Sequence, residues 1–368
     1  MLIKSLEAIG IRGKLLEWFN SYLLEREIMV KVGSTLSVKR RVDTGVPQGS
    51  ILGPTLYIIY VNNMVKYIKN CQVYQYADDT VLLSANKDVH IAEQELQTDF
   101  SMILKWTHDR NLVINAEKTK LVHICSPHAL DRDYYVNIIC HSHECMHDLV
   151  LNCNCGIENG IENVISYKYL GIIIDRFFSW KPQINIVSKR LRSCAFKIYN
   201  LKYVLPFKVL RAIYLALAES VIMYGILAWG NASPYIIKQI RKLQSKILYH
   251  IIPDHKKIEI KHEFDLYNFC LTLPVNLIYE FQLILKYYFN NDYLISEVSE
   301  IITRARMIDV YKIPSYNNKY GKRQLKYVIP LLFNQIPQHL RNLKKYQILK
   351  NELKIFVRNK LLLSNHLL

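Results

Sequence analysis

The 368-residue sequence contains few of the residues that break regular structure, with only 12 glycines and 11 prolines, while 51% of its residues are hydrophobic. This composition excludes collagen-like, low-complexity and disordered chains. Its eight cysteines fall far below the ~8–10% that marks disulfide-stapled secreted domains. The first residues, Met1 to Glu7, lack the apolar stretch of a secretory signal. The sequence therefore predicts a folded intracellular protein with reduced thiols.

Acidic residues are also scarce, because 31 Asp and Glu stand against 48 Lys and Arg, a net charge of +17. Such an excess favours a polyanionic partner, although membrane surfaces and acidic proteins attract the same charge. One apolar run, Ala212 to Trp229, approaches the ~20 residues of a membrane-spanning helix. Glu219 lies near its centre, where a carboxylate is costly in lipid. We therefore expect a buried core helix and no membrane partner.

The periodicity of apolar residues divides the chain into a mixed first half and a helical second half. In the first half, the pattern predicts a helical hairpin at 2–24, a β-hairpin at 28–42 and a helix at 56–68. It then predicts two strands around an acidic turn at 73–83, a longer helix at 89–106 and further strands at 112–175. The second half predicts helices at 183–203, 207–228 and 234–251, a linker at 290–323 and a basic helical end at 327–363. The expected fold class is α+β with antiparallel strands.

The sharpest local feature is Tyr76-Ala77-Asp78-Asp79, which lies between two apolar segments of β character. Two adjacent carboxylates repel each other, so a tight turn that presents both on one edge is costly unless a cation is bound. Hard divalent ions such as Mg²⁺ prefer oxygen ligands and accept one or two protein carboxylates beside phosphate oxygens. Taken alone, the dipeptide is equally typical of a solvated turn.

Three further motifs surround this turn. Upstream lies GVPQGSILGPTL, a glycine-rich approach to a helix with Gln48 and Gly49 at its centre. Glycine allows the backbone to approach a ligand closely. Downstream lie LVINAEKTK, which contains Lys118, and YKYLGIIID, which contains Tyr169, Leu170 and Gly171. Four such segments in this order are hard to attribute to chance.

This order of motifs resembles the reverse transcriptase of non-LTR (LINE-type) retrotransposons, most of all the jockey-like elements of insects. The resemblance implies an RNA-directed DNA polymerase that uses Mg²⁺ or Mn²⁺, dNTPs, an RNA template from the element and a DNA primer. It implies a partial polymerase palm at 1–180, an antiparallel sheet with helices, then a thumb-like helical region at 181–260 and a mostly helical basic region at 261–368. Residence in nucleus and cytoplasm is implied by the family alone, and the oligomeric state is not predicted.

The resemblance also assigns roles to matching residues. Asp78 and Asp79 correspond to carboxylates that bind two metal ions, and Lys118 corresponds to a lysine that assists departure of pyrophosphate. The substrate-binding positions are Gln48, Gly49, Tyr76 and Ala77, and the primer-grip positions are Tyr169, Leu170 and Gly171. Lys118 is equally typical of a solvated surface lysine.

Basic residues on the later helices form a second candidate surface. In a thumb-like region they would contact the phosphate backbone of a template–primer duplex without reading its sequence. These residues are Lys189, Arg190, Arg192, Arg241 and Lys242. The alternative is that they form solvated helix faces. The 26 tyrosines suit cores as well as base stacking, so none is assigned to bases.

One implied carboxylate has no counterpart. The resemblance implies another metal-binding Asp on a strand ahead of the glycine-rich motif, but no Asp precedes Asp43 in this sequence. Deleting a comparable electrostatic group costs ~10²–10³ in rate. We therefore expect this chain to be an incomplete C-terminal fragment that lacks the fingers and is inactive or nearly so on its own.

Cysteine and histidine crowd into an expected hairpin insertion at about 126–163. Cys145, His147, Cys153 and Cys155 supply the ligand types of a structural zinc site. The spacing contains no Cys-x-x-Cys pair, so free thiols on the hairpin are the alternative. Two other functions stay open for the whole chain: a non-catalytic nucleic-acid-binding remnant and a group II intron-like maturase.

Overall fold

The computed structural model describes residues 1–42, 44–127, 138, 160–289, 294, 301–303, 306–308, 311–318 and 320–364. The chain divides into two compact units, residues 1–165 and 166–368. The predicted zinc ligands Cys145, His147, Cys153 and Cys155 lie outside the described residues.

The first unit combines short helices with two-stranded sheets. Its elements are α1 (Leu2–Ala8), α2 (Lys14–Leu23), β1 (Arg26–Ile28), β2 (Lys31–Val32), β3 (Thr35–Leu36), β4 (Arg40–Val42), α3 (Gly53–Val61), β5 (Gln72–Tyr76), β6 (Asp79–Leu83), α4 (Val89–Asp109), β7 (Lys120–Leu121) and β8 (Glu162–Asn163). Strand β1 pairs with β4 and β2 pairs with β3, both antiparallel, which confirms the predicted hairpin there.

Small apolar clusters hold the first unit together. Leu6, Phe19 and Leu56 join α1, α2 and α3. The longer helix α4 contributes Ile103 and Trp106 to a second cluster that also receives side chains from the end of α3 and from β6. Burial of such side chains is worth ~1.5–3 kcal/mol each, so these contacts fix where the β5–β6 hairpin lies within the unit.

The strands predicted to begin at residue 112 are wrong for most of 112–124. Leu112 and Ile114 alternate as in a strand, but they pack against the α4 cluster from irregular backbone, and the Leu112 amide bonds back to the Thr107 carbonyl at the end of α4. Only β7 is extended, and it pairs in parallel with β8. Core packing therefore overrides the local alternation.

The second unit is mainly helical. Its elements are β9 (Ser166–Tyr169), β10 (Ile172–Asp175), α5 (Lys181–Leu201), α6 (Phe207–Tyr214), α7 (Ser220–Met223), α8 (Ile226–Trp229), α9 (Pro234–Ile251), α10 (Glu263–Phe269), α11 (Val275–Tyr287), β11 (Ile301–Thr303), β12 (Arg306–Ile308), α12 (Leu325–Gln335), α13 (Gln338–Arg341) and α14 (Tyr346–Ser364). One large apolar core joins α5, α6, α9, α11, α12 and α14.

The apolar run from Ala212 to Trp229 is not one helix. A π-helical turn, Leu215–Glu219, continues α6 into α7 without interruption, and the helix ends where the chain breaks at Tyr224 and Gly225. The predicted continuous helix over 207–228 is therefore wrong, although the expected burial is confirmed by Tyr214, Ile222 and Trp229 in the core. In the described part of the chain no helix is both long and apolar enough to cross a membrane.

Gly225 allows the chain to turn back at this break. Its φ of +64° lies in the left-handed region, and a Cβ there would lie 2.3 Å from Ile172 Cδ1. The Trp229 indole N–H donates to the Tyr224 carbonyl at 3.0 Å and closes the turn. The β9–β10 hairpin consequently docks closely on this segment. Helices and small, mostly antiparallel sheets together agree with the predicted α+β class.

Candidate active site

Asp78 and Asp79 lie at the tip of the β5–β6 hairpin. Tyr76 pairs with Asp79, so Ala77 and Asp78 form the two-residue loop between the strands. Ala77 has a φ of +52°, the left-handed conformation that such tight turns require. Both aspartates are exposed. The structure thus forms the predicted acidic turn and presents two adjacent carboxylates at one end of a hairpin.

The carboxylate pair suits a hard divalent cation. Neither Asp78 nor Asp79 joins a salt bridge among the described residues, so the repulsion between them is not neutralised by a side chain there. Within those same residues, no three His, Cys, Asp or Glu side chains come close enough to hold a metal ion. Two oxygen ligands still match the preference of Mg²⁺, which keeps several waters and takes further oxygens from phosphates.

Tyr57 is a neighbour of the site that the sequence alone did not reveal. It lies on α3, the helix that follows the glycine-rich loop, and it is half-buried. Burial and the nearby charge of Asp78 both raise the pKa of its hydroxyl. The phenol therefore stays protonated and can donate a hydrogen bond toward the acidic turn. The only sequence signal was its place on the helix that follows Gln48.

Asp99 fixes the beginning of the acidic hairpin. Its buried carboxylate accepts hydrogen bonds from the backbone amides of Lys69, Asn70 and Cys71, at 3.2, 2.8 and 2.7 Å. Burial alone would raise the pKa of Asp99, but the hydrogen bonds from Cys71, Asn70 and Lys69 outweigh burial and lower that pKa. The carboxylate on α4 thereby satisfies three amides just before β5 begins at Gln72.

We expect Asp99→Ala to destabilise the first unit by about 1–3 kcal/mol, because three backbone amides lose the carboxylate that accepts their hydrogen bonds. Hydrogen exchange followed by mass spectrometry should show faster exchange in peptides that cover 69–76. Asp109, which is exposed at the end of the same helix, provides the matched control. Asp109→Ala should leave this exchange unchanged, and equal exchange in both variants would contradict the assigned role of Asp99.

The lowered pKa of Asp99 also predicts a dependence on pH. An unfolded Asp titrates near ~3.9. Because the folded pKa is lower, the charge of Asp99 stabilises the fold above about pH 4, and this contribution disappears as the pH falls through the folded pKa. The difference in unfolding free energy between wild type and Asp99→Asn should therefore be largest near neutral pH and should shrink in acid. A pH-independent difference, measured by urea unfolding, would be inconsistent with this linkage.

Gln48 and Gly49 lie in an exposed turn ahead of α3. The Ser50 hydroxyl donates to the Pro47 carbonyl at 2.8 Å and accepts from the Gly53 amide at 3.0 Å. Helix α3 begins at Gly53, directly after a turn that Ser50 closes. The two predicted substrate-binding residues belong to the loop and not to the helix.

Lys118 is exposed in a turn held by Asn115, whose carbonyl and side-chain oxygen both accept from the Lys118 amide. Ile114, just before this turn, and Leu82 of β6 pack against the same two apolar clusters. The structure therefore places the lysine motif and the acidic hairpin on a shared core.

The Leu170–Gly171 turn belongs to the second unit, where it joins β9 to β10. The Tyr224 hydroxyl donates to the Leu170 carbonyl at 2.6 Å. A Cβ at Gly171 would lie 3.2 Å from the Tyr224 ring, so glycine permits this close contact. Tyr224 is a second residue that sequence reasoning missed.

The base of the same hairpin is tied to the start of α5. The Ile173 amide donates to the Gln183 side-chain oxygen at 2.9 Å. The buried Asp175 carboxylate accepts from the Ser179 and Trp180 amides at 3.0 and 2.8 Å. Tip and base are therefore both fixed to helical segments of the second unit, which gives the predicted primer-grip turn a rigid support.

The predicted basic residues differ in availability. Lys189, Arg190 and Arg192 are exposed on α5, and Lys242 is exposed on α9. Arg241 instead forms an ion pair with Glu263 of α10, with Nε 2.9 Å from the carboxylate oxygen. A phosphate contact by Arg241 would have to compete with this pair.

Comparisons with known proteins agree with the motif order. Residues 1–174 match the family model described as reverse transcriptase (RNA-dependent DNA polymerase). The chain is similar to the RNA-directed DNA polymerase from mobile element jockey of Drosophila melanogaster, with 29% identity over 245 residues, 63% of this chain and 24% of that protein. It is also similar to a transposon X-element protein of Drosophila melanogaster, with 27% identity over 62% of this chain and 24% of the relative. The jockey protein of Drosophila funebris is 27% identical over 65% of this chain and 25% of its own length. The chain thus spans about a quarter of the length of these relatives.

Proposed function

From the confirmed resemblance to jockey-like reverse transcriptases, we propose that this chain forms part of an RNA-directed DNA polymerase that copies element RNA. The observation that carries the proposal is the exposed Asp78–Asp79 turn at the tip of a two-stranded hairpin. The substrates are dNTPs, an RNA template and a DNA primer. Residues 1–180 are the palm remnant, the helices from α5 to α9 within 181–260 are the thumb-like region, and 261–368 form a mostly helical basic region.

Asp78 and Asp79 are the residues that would hold Mg²⁺ or Mn²⁺. Such ions, when bound, stabilise the attacking and leaving oxygens of nucleotidyl transfer. Lys118 offers a positive charge to the departing pyrophosphate. Gln48, Gly49, Tyr76 and Ala77 contact the incoming nucleotide and the template, and their exposure leaves them accessible for that contact.

The Leu170–Gly171 turn, together with Tyr169, holds the primer end. Its support by Tyr224 and Gln183 favours this role, because a grip needs a fixed backbone. Lys189, Arg190, Arg192, Lys242 and, after release from Glu263, Arg241 contact the nucleic-acid backbone. The nucleus and the cytoplasm are the proposed compartments, on the resemblance to the family alone.

We further propose that the 368-residue chain alone extends primers slowly or not at all. Residues 1–127 place two carboxylates at the tip of the acidic hairpin, whereas two-metal transfer relies on an additional shared ligand. A specific observation also supports the alternative of a non-catalytic nucleic-acid-binding remnant, namely the exposed basic residues of α5.

The test is RNA-templated primer extension by a chimaera in which the matching segment of this chain replaces its counterpart in the Drosophila melanogaster jockey polymerase. We expect incorporation of dNTPs that requires Mg²⁺ or Mn²⁺. Asp109→Asn in the same chimaera should keep full activity, because this exposed carboxylate lies at the far end of α4.

The outcomes separate the two functions. A chimaera that folds and binds an RNA–DNA hybrid but incorporates no dNTP would overturn the polymerase proposal for this chain and favour the remnant. Extension by the 368-residue chain alone, at a rate similar to that of the chimaera, would instead overturn the proposed inactivity.

A further inference from the structure

Helix α5 carries a stripe of exposed basic and aromatic side chains. Five residues share this face at intervals of three and four positions, the spacing that aligns side chains along a helix. We call them the α5 stripe: Lys189, Arg192, Phe196, Tyr199 and Tyr203, the last just beyond the end of the helix. Phe196 is 68% exposed and Tyr203 is 75% exposed. Large rings that remain in water at such spacing indicate a binding surface.

The charged side chains of α5 itself all have the same sign. Helix α5 contains five Lys or Arg residues and no Asp or Glu. Lys202 Nζ lies 4.5 Å from the ring centroids of both Tyr199 and Tyr203. This cation holds the two rings beside each other and adds a positive charge where the stripe ends.

A cavity of about 200 Å³ opens at this end of the stripe. Its lining includes Lys202, Tyr203, Phe207, His250 and Ile252. The acidic residue of the lining, Asp254, is already paired with Lys257, with Nζ 2.5 Å from the carboxylate oxygen. The volume is below the ~300–1,000 Å³ of sites for drug-sized ligands, so the cavity suits one planar ring such as a nucleobase.

We propose that the α5 stripe and its cavity bind a single-stranded polynucleotide. Bases stack on Phe196, Tyr199 and Tyr203, and phosphates lie beside Lys189, Arg192 and Lys202. Aromatic side chains reach the faces of bases only where the bases are unpaired, and stacking rings next to a basic groove are typical of single-strand binding. The five cations of α5 favour this polyanion over an apolar protein segment.

The length of the surface agrees with a short oligonucleotide. Fourteen positions separate Lys189 from Tyr203. At 1.5 Å per helical residue they span roughly 21 Å. This distance covers about six nucleotides at the ~3.4 Å rise of a stacked strand, and fewer if the strand is extended. A ten-nucleotide probe is therefore long enough to occupy the whole surface.

The inference rests on the proposed function, from which it takes nucleic acid as the partner. Its test measures binding and needs no catalysis. The 368-residue chain is titrated with fluorescent ten-nucleotide oligo(U) RNA, oligo(dT) DNA and an RNA–DNA hybrid of equal length at fixed salt. Phe196→Ala and Tyr203→Ala should each weaken single-strand binding roughly 5- to 150-fold, and hybrid binding should change little. Tyr203→Phe should restore the affinity because the ring is retained.

Tyr235 provides the matched control, since it is a 76% exposed tyrosine on α9 of the same unit. Tyr235→Ala should bind like wild type. Lys189→Ala should lower the slope of log affinity against log salt by about 0.7. The relative affinities for RNA and DNA show which strand the surface prefers.

Three results would overturn the inference. The first is an unchanged affinity of folded Tyr203→Ala for the single strand. The second is a loss of hybrid affinity as large as the loss of single-strand affinity, which would show that the rings contact duplex. The third is the absence of single-strand binding in the wild-type chain, which would leave the stripe to a protein partner. None of these depends on whether the chimaera polymerises.

Discussion

Asparagine in place of Asp78 should slow primer extension by the chimaera at least ~100-fold, because removal of a comparable electrostatic group costs ~10²–10³ in rate. The amide has nearly the size of the carboxylate and fits the same turn, but it carries no charge to hold a divalent ion. Asp78 lies in the two-residue loop and is exposed, so the change leaves the hairpin pairs from Tyr76–Asp79 to Gln72–Leu83 in place. Single-turnover extension in Mg²⁺ measures the effect.

The effect should appear in the rate of incorporation and not in binding. Affinity for the RNA–DNA hybrid should stay within about two-fold of the parent, since one exposed residue makes a small part of a polyanion interface. Asp109→Asn controls for the loss of one acidic charge from the same unit. Extension by Asp78→Asn within a few-fold of the parent rate would remove Asp78 from the site.

Leucine in place of Gln244 should destabilise the second unit by about 3 kcal/mol, because it leaves several buried polar groups without partners. The side chain is fully buried on α9. Its Nε2 donates to the Tyr214 hydroxyl and the Leu273 carbonyl at 2.8 and 2.9 Å. Its Oε1 accepts from the Tyr267 hydroxyl and the Val275 amide at 3.2 and 3.0 Å. One amide therefore joins α6, α9, α10 and the start of α11.

Hydrogen exchange of α9 and α11 peptides measures this loss within the second unit. A loss of about 3 kcal/mol accelerates globally protected amides ~150-fold, since 1.36 kcal/mol corresponds to a factor of ten. Gln239→Leu makes the same change at an exposed position of α9 and should cost less than ~0.5 kcal/mol. Equal protection in the two variants would show that the Gln244 network contributes no stability.

Local patterns predicted those parts of the fold that local contacts decide. Alternation on both sides of Asp78-Asp79 indicated two strands and a tight turn, and the structure pairs Tyr74 with Val81 as that pattern requires. The long helices α5 and α9 also follow from their apolar spacing. In these elements the periodicity of the sequence and the buried face coincide.

Contacts between distant segments could not be predicted in this way. Strand β7 pairs with β8 some forty positions later, and no local pattern identifies that partner. The sequence contains no local signal that Asp99 and Asp175 are buried and accept hydrogen bonds from backbone amides. Tyr57 and Tyr224 belong to the same class, because the nearby charge of Asp78 and the Leu170 carbonyl come from other segments of the chain.

The π-helical turn Leu215–Glu219 gives the second unit a place where its residue count can change. Each hydrogen bond of a π-helix spans one residue more than that of an α-helix, so removing one residue there should give ordinary α-helix and leave the flanking helical faces nearly in register. Ile222 and Trp229 would then keep their places in the core. A one-residue deletion in this turn should therefore be tolerated better than the same deletion within α9, where it would rotate all downstream residues by about 100° relative to the preceding ones.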